Sequence, residues 1–165
     1  MNKVLELKNI WQSFGNLQVL KDASLVVNEN ETVCLLGPSG SGKTTIFNIV
    51  SRIISPEAGE VVFKNNTRKS YVFQEPRLLP WKKVGENIDF VQRNFISSSR
   101  ASKIRDKLLK FTGLKDFINN YPAQLSGGMK QRIEIIKALS ILPDLVLMDE
   151  PFKSIDTQTR INFQQ

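Results

Sequence analysis

One glycine-rich stretch constrains this chain more than any other feature. Between Gly37 and Thr44 the sequence GPSGSGKT fits the pattern G-x-x-x-x-G-K-[ST]. The apolar and β-branched run at residues 32–36 precedes it and predicts a buried strand. Behind it, apolar residues recur at the spacing of a helix that begins at the loop: Ile46, Ile49, Val50 and Ile53. A strand before the loop and a helix after it form the context in which this pattern binds phosphates.

The residue types in this loop suit a triphosphate. Glycines let the backbone curl until successive N–H groups form an anion-binding nest, and the helix N-terminus adds its positive end. We expect Lys43 to reach the β- and γ-phosphates and the Thr44 hydroxyl to bind Mg²⁺. The alternative is a surface turn, which the flanking elements disfavour. The predicted nucleoside triphosphate contacts are Gly37, Pro38, Ser39, Gly40, Ser41, Gly42, Lys43, Thr44 and Thr45.

Composition excludes several other functions. The 165 residues suit one domain with its own core, and no apolar run is long enough to span a bilayer. The single cysteine, Cys34, falls in the predicted buried strand, so we expect it to pack in a core in a reducing compartment. The chain has no histidine, which excludes Ser-His-Asp hydrolysis and histidine-bound metals.

The net charge of +7 does not by itself identify a partner. Such a charge suits nucleotides, anionic lipid headgroups or RNA. The basic residues are scattered along the chain, and no nucleic-acid-binding motif accompanies them. We therefore expect a solvated basic surface and no nucleic-acid partner.

Strands are predicted first, then helices, then one more strand. An edge-type strand is expected at residues 4–10, and residues 24–27 are expected to form a hairpin with 32–36. Short strands follow at 59–63 and 70–73, and residues 84–119 are mostly helical in character. Ser126 is a plausible N-cap of the next helix. The apolar run 145–148 predicts a strand buried on both sides in a parallel sheet.

Asp149 and Glu150 stand at the end of that last strand. A carboxylate in this position beside a phosphate-binding loop typically holds Mg²⁺, often through water. The next carboxylate could polarise the water that attacks the γ-phosphate. Two solvated acids at a strand end are the alternative, which the phosphate-binding loop in the same chain disfavours.

Ser126, Gly127 and Gly128 predict a second anion site, because glycines at a helix N-terminus leave N–H groups exposed. One phosphate-binding loop already accommodates one triphosphate. Across a two-fold interface the second site could instead reach the nucleotide of a partner subunit. An ordinary helix start remains the alternative for this segment taken alone.

The segment Leu125-Ser126-Gly127-Gly128-Met129-Lys130-Gln131-Arg132 resembles the signature motif of ATP-binding cassette (ABC) ATPases. The order of phosphate-binding loop, glutamine loop, signature and Asp-Glu strand is also that of the family. The run from Val72 to Trp81 is similar to nitrate/sulfonate/taurine-type importers. The resemblance covers essentially the whole chain.

The resemblance implies roles for individual residues. Glu150 would be the catalytic base, with Lys43 and Gln74 also catalytic, and Thr44, Gln74 and Asp149 would bind Mg²⁺. Phe14 would stack on adenine, although a core or hairpin aromatic is the alternative. Residues 154–156 would form the D-loop that meets the partner. The contacts to the partner's ATP would come from Ser126, Gly127, Gly128 and Gln131.

The resemblance also implies an architecture and partners. The fold would be α/β, with a P-loop NTPase (RecA-like) core, an N-terminal antiparallel β subdomain and an inserted α-helical subdomain at about 76–140. Residues 1–165 would form one nucleotide-binding domain that uses ATP and Mg²⁺. It would form a homodimer or pair with another ABC subunit, in the cytoplasm on the inner face of the membrane. A transmembrane permease would dock on the helical subdomain, with Leu79 and Trp81 as candidate contacts.

Three departures from the family pattern leave alternatives open. Members continue through further strands and a switch-loop histidine that contacts the γ-phosphate, so the resemblance implies a cassette incomplete at its C-terminus. Lys153 stands where importers usually carry glycine, and Glu134 where small or apolar residues are commoner. The second hypothesis is therefore a nucleotide-binding or interaction module that does not turn over. A third hypothesis is a soluble ABC ATPase of repair or translation. It would need long insertions or duplicated cassettes, and this sequence contains neither.

Overall fold

The structure is a computed structural model that describes residues 2–151. These residues fall into two compact units, one ending at Lys69 and the other beginning at Ser70. The expected D-loop at 154–156 and Lys153 lie outside the described residues. Among the helices of the described range, none is long and apolar enough to cross a bilayer.

The first unit contains an antiparallel sheet of strands β1 (Lys3–Phe14), β2 (Leu17–Asn28) and β3 (Ala58–Phe63) in the order β2-β1-β3. The hairpin between β1 and β2 closes at Gly15, whose φ of 59° suits a residue without a Cβ. The predicted strand at 59–63 is therefore confirmed. The prediction of an edge strand at 4–10 is wrong, because β1 is paired along both of its sides.

The predicted buried strand at 32–36 is not formed. Residues 31–38 have no regular structure, Leu36 is 88% exposed, and Cys34 is exposed rather than packed in a core. The predicted hairpin with 24–27 is also wrong, because β2 pairs with β1 instead. Strands buried on both faces are typical of parallel sheets, whereas the described part of this unit contains an antiparallel sheet. Helix α1 (Lys43–Val50) then follows the glycine-rich loop as predicted.

Up to residue 151, the second unit contains a two-stranded sheet of β4 (Lys69–Val72) and β5 (Leu145–Met148), together with three α-helices. These are α2 (Val84–Gln92), α3 (Ser98–Phe111) and α4 (Gly127–Leu139). Single 3-10 turns at Lys115–Phe117 and Pro122–Gln124 connect α3 to α4. The helical stretch within 84–119 and the helix after Ser126 are confirmed. A strand at 145–148 is also confirmed, and its residues alternate between buried and half-buried.

Helix α4 packs on two clusters of apolar residues. Ile133 and Ile136 join a core among the helices. Ile135 and Ala138 pack against Val72 of β4, with Val146 and Met148 of β5 beside them. The helix that begins at the signature segment is thereby held against the strands that precede Gln74 and Asp149. The core among the helices consists of Val84, Ile88, Leu109, Leu114, Leu125, Ile133 and Ile136.

Buried Asn87 fixes the turn that leads into α2. Its Oδ1 accepts a hydrogen bond from the Leu79 N–H at 2.7 Å, and its Nδ2 lies within hydrogen-bonding distance of three carbonyl oxygens. Those oxygens belong to Leu79, Lys82 and Lys83, at 3.2, 2.9 and 3.1 Å. One side chain, 2% exposed, thus organises the main chain of residues 79–83.

We expect Asn87→Ala to lower the free energy of unfolding by about 2–4 kcal/mol, because it leaves buried main-chain groups unpaired. The matched control is Asn94→Ala, since Asn94 is exposed and should change stability by less than about 0.5 kcal/mol. Urea denaturation followed by circular dichroism measures both. Equal midpoints for the two variants would contradict the role given to Asn87.

Candidate nucleotide-binding site

The glycine-rich loop has the backbone conformation that its sequence predicts. Gly40 and Gly42 have φ values of 80° and 89°, in the left-handed region that favours glycine. Gly42 is the N-cap of α1, and a Cβ on it would lie 2.9 Å from Leu20 Cδ2. A Cβ on Gly37 would lie 2.7 Å from Ser41 Oγ. A larger residue is therefore disfavoured at Gly42 for steric as well as conformational reasons, whereas at Gly37 it would displace the Ser41 hydroxyl.

The Lys43 side chain folds back onto the glycine-rich loop. Its Nζ donates to the carbonyl oxygens of Gly37 at 2.8 Å and Pro38 at 2.7 Å, and lies 3.4 Å from Ser41 Oγ. The ammonium group thus has oxygen ligands at the mouth of the curled backbone. Phosphate oxygens can replace these carbonyls, since they offer the same kind of acceptor with a full negative charge.

The other nucleotide-binding residues predicted in the first unit lie around the loop and in the β1–β2 hairpin. Thr44 and Thr45 occupy the first turn of α1, with Thr44 exposed. Ser39 is also exposed. Phe14 ends β1 at the hairpin and is 53% exposed. Its ring is not part of a core, so the alternative of a core aromatic is disfavoured and a stacking surface is available.

The second unit brings Gln74 and Glu150 together. Gln74 Nε2 donates to Glu150 Oε2 at 2.9 Å, across 76 residues of sequence. Both residues are exposed. Glu150 has a φ of 46°, which few residues with a Cβ adopt. Uncommon backbone conformations of this kind cluster at functional sites. The amide therefore holds a carboxylate that remains accessible to water.

Asp149 differs from its neighbour because it is buried, with 7% exposure. Its N–H donates to the Val72 carbonyl at 3.0 Å, which fixes it at the end of the sheet. The Tyr71 hydroxyl lies 3.5 Å from Asp149 Oδ2. Burial, with the nearby Asp149 charge, raises the pKa of Tyr71 to about 12. The phenol therefore stays protonated at neutral pH and directs its O–H toward the carboxylate.

The oxygen groups present fit Mg²⁺ rather than a softer metal. Within residues 2–151 no group of three or more His, Cys, Asp and Glu side chains could hold a metal by itself. Mg²⁺ does not need such a group, because it commonly takes one or two protein oxygens together with substrate phosphates and water. A buried carboxylate such as Asp149 and a hydroxyl such as Thr44 belong to that ligand class.

The predicted signature segment begins α4. Ser126 is the N-cap, and its Oγ accepts a hydrogen bond from the Met129 N–H at 3.3 Å, as expected for an N-cap serine. Ser126 and Gly127 are exposed and Gly128 is half-buried. A Cβ on Gly127 would meet nothing within 4 Å. The start of the helix thus presents an open surface on which another molecule could lie.

Gln131 does not share that exposure. Its side chain is 1% exposed, and neither amide atom has a hydrogen-bond partner. The contact of Gln131 with a partner's ATP stays a prediction, and α4 turns this side chain toward the protein interior, unlike the exposed Ser126 and Gly127. A period of 3.6 residues places it on the same side as Ile135 and Ala138, a signal that the sequence already contained.

Tyr71 and Lys137 are site residues that the sequence reasoning missed. Tyr71 precedes Gln74 on the strand side and contacts Asp149. Lys137 donates to the Arg77 carbonyl at 2.7 Å, three residues after Gln74. Strand alternation places Tyr71 and Phe73 on one face, which could have indicated the first. Nothing in the spacing indicated the second, because its partner lies 60 residues away.

Known proteins are similar to this chain over nearly its whole length. The family model described as ABC transporter matches residues 20–153. An ABC transporter ATP-binding protein of Methanocaldococcus jannaschii is 39% identical over 166 residues, which cover 96% of this chain and 62% of that protein. The taurine import ATP-binding protein TauB of Yersinia pestis is 36% identical over 169 residues, which cover 98% and 66%. The chain therefore spans somewhat less than two thirds of these relatives.

Solved structures agree with the fold. The structure of an ATP-binding subunit of an ABC transporter has a TM-score of 0.89 at 25% identity, covering 96% of this chain and 71% of that one. The dimeric structure of a bacterial ABC transporter cassette has a TM-score of 0.87 at 31% identity, covering 98% and 80%. These similarities confirm the predicted fold class, an α/β P-loop NTPase with an antiparallel N-terminal sheet and added helices. The glycine-rich loop, the Asp-Glu end of β5 and the start of α4 all lie within residues 20–153, which the family model matches. This match shows that the protein belongs to the ABC transporter family.

Proposed function

We propose that the chain is the ATP-binding and ATP-hydrolysing subunit of an ABC importer. The observation that carries the proposal is the glycine-rich loop, where left-handed glycines and the Lys43 ammonium form a cradle for phosphates. The import ATP-binding proteins among its relatives support the direction of transport. Their names specify taurine and aliphatic sulfonates, and a small sulfonate is the solute class that we propose for this system.

In the proposed binding step, the loop N–H groups and Lys43 hold the β- and γ-phosphates, and the ring of Phe14 stacks on adenine. Stacking of this kind contributes roughly 1–3 kcal/mol per base. Thr44 and Asp149 would hold Mg²⁺, with Gln74 beside it. The metal supplies positive charge against the phosphate oxygens.

In the proposed hydrolysis step, Glu150 accepts a proton from water as the water oxygen attacks the γ-phosphorus. A new P–O bond forms, the bond to the β-phosphate oxygen breaks, and ADP and phosphate leave. The hydrogen bond from Gln74 occupies one carboxylate oxygen of Glu150. It thus orients the other oxygen for proton transfer and couples Gln74 to the reacting water.

Two copies would act together. Gly127 and Gly128 at the start of α4 would cover the nucleotide held by the partner's loop in a head-to-tail dimer, in line with the dimeric cassette among its structural relatives. ATP would favour the closed dimer and hydrolysis the open one, which is a population shift driven by a ligand.

The protein would act in the cytoplasm, on the inner face of the membrane, with no nucleic-acid partner.

A permease would transmit this motion to the solute. Trp81 is 70% exposed, beside a turn that Asn87 holds in place. A shallow groove of about 310 Å³ runs along the neighbouring face of α2, lined by Lys82, Glu86, Asp89, Phe90 and Arg93. Large exposed apolar side chains on a supported turn are typical anchors of interfaces. Leu79, half-buried and bound through its main chain to Asn87, positions this anchor rather than forming most of it.

Lys43→Ala should weaken Mg-ATP binding at least about tenfold, because it removes charge-assisted hydrogen bonds worth roughly 1.5–3 kcal/mol each. Isothermal titration calorimetry measures the dissociation constant. The control is Lys21→Ala, which removes the same charge from an exposed strand position of the same unit. Equal affinity of the two variants would overturn the role of the loop.

Glu150→Gln should leave Mg-ATP affinity within about threefold of the unchanged protein and lower phosphate release at least about a hundredfold. The amide keeps an oxygen for Gln74 but cannot accept the proton. The control is Glu57→Gln at an exposed loop carboxylate. If the unchanged protein binds ATP and releases phosphate only at background, the hypothesis of a module without turnover replaces this one.

Trp81→Ala should weaken co-purification with the permease and leave ATP affinity unchanged, because the ring lies outside the phosphate-binding loop. Loss of one anchor residue costs about 2 kcal/mol or more, roughly a thirtyfold weaker complex. Phe111→Ala is the control, since Phe111 is an equally exposed aromatic residue at the end of α3. Equal recovery of permease with both variants would count against docking at Trp81.

A further inference from the structure

No step of the proposed reaction uses the buried ion pair on α4. Glu134 is 2% exposed and its Oε2 lies 2.8 Å from Lys137 Nζ, while the Lys137 side chain is 16% exposed. The same Nζ donates to the main-chain carbonyl of Arg77 at 2.7 Å. One ammonium group thus joins the helix of the signature segment to the glutamine loop, defined here as residues 73–80.

Stability alone does not explain this pair. Taking two charges out of water costs solvation free energy, and an apolar pair of similar volume is often as stable or more stable. Glu134 lies four residues before Ala138 and so next to it on the surface of α4, and Ala138 packs against β4. An apolar residue would suit that environment better than a carboxylate. The pair is better explained by the geometry that it imposes on Arg77.

Arg77 is held from two directions. Its guanidinium carbon lies 3.8 Å from the centre of the Phe73 ring, and Phe73 stacks on Tyr71 at 4.1 Å. Its carbonyl is bound by Lys137. Farther along, both main-chain groups of Leu79 are bound by Asn87. Before Gln74, the Val72 carbonyl accepts a hydrogen bond from the Asp149 N–H. The main chain is therefore held on both sides of Gln74, and the bond from Lys137 is the nearest of these on the C-terminal side.

We propose that Glu134 is a positioning residue for Gln74: it fixes Lys137, which fixes the Arg77 carbonyl and so the path of the glutamine loop. The inference deepens the proposed function and rests on it, because it assumes that Gln74 and Glu150 act on ATP. Residues 127 and 137 are about 15 Å apart along one rigid helix, at a rise of roughly 1.5 Å per residue. Displacement of the signature glycines thus displaces the anchor of the glutamine loop.

The test separates positioning from stability by comparing single and double variants of the full chain. Glu134→Gln leaves the ammonium without its counter-ion, and Lys137→Met leaves a buried carboxylate unpaired, so both should lower Tm. The double variant E134L/K137M removes both charges and should recover Tm. The control is Glu6→Gln, which breaks an exposed Lys3–Glu6 pair with the same spacing and the same 2.8 Å distance.

Steady-state kinetics then decide the role. We expect kcat to fall about tenfold in both single variants and in the double variant, because small displacements of catalytic groups cost up to about a hundredfold in rate. KM for ATP should stay within about twofold, and Glu6→Gln should match the unchanged protein in both constants. A double variant that recovers kcat together with Tm overturns the proposal, as does a Glu134→Gln variant with unchanged kcat.

Hydrogen exchange tests the inference independently of catalysis. The amides of Gln74, Glu75, Arg77 and Leu78 should exchange faster in Glu134→Gln and in the double variant, but not in Glu6→Gln, because the loop loses its anchor. Unchanged exchange in that segment overturns the proposal. An unchanged protein that neither binds nor hydrolyses ATP defeats the proposed function instead, and the exchange result still decides whether Glu134 holds the loop.

Discussion

The backbone of the glycine-rich loop is the constraint on which the proposed chemistry depends. A main chain that curls around an anion includes residues in the left-handed region, and Gly40 and Gly42 supply them. Gly42 has a second reason to lack a side chain, since Leu20 of β2 approaches it closely. The antiparallel sheet of the first unit thus does more than display Phe14, because a side chain of β2 shapes the entrance to α1.

The second unit holds the neighbouring carboxylates of Asp149 and Glu150 in different environments, the first buried and the second exposed. The hydrogen bond from Asp149 N–H to the Val72 carbonyl places the ends of β4 and β5 side by side. Asp149 then lies buried near Tyr71, whereas Glu150 turns out with a positive φ and meets Gln74. One carboxylate is thereby suited to a metal and the other to proton transfer, although the two are adjacent in sequence.

The sequence predicted local structural features correctly. The loop glycines, the cap at Ser126 and the carboxylates after β5 each follow from a few consecutive residues. It failed at residues 32–36, and it did not indicate the burial of Gln131, because both depend on what covers a segment. An apolar run predicts burial only if neighbours are available, and residues 32–36 lack regular structure beside an antiparallel sheet. The link from Lys137 to Arg77 spans 60 residues, beyond any local pattern.

Helix α4 shows why such non-local polar contacts persist inside a core. Ile133 and Ile136 face the other helices, while Ile135 and Ala138 face β4, so the helix is buried on two sides. Apolar contacts would hold it there but tolerate small shifts, because they are non-directional. A charged hydrogen bond to one carbonyl tolerates far less. The polar residues of α4 therefore define where the glutamine loop lies relative to the helix, which apolar packing alone cannot do.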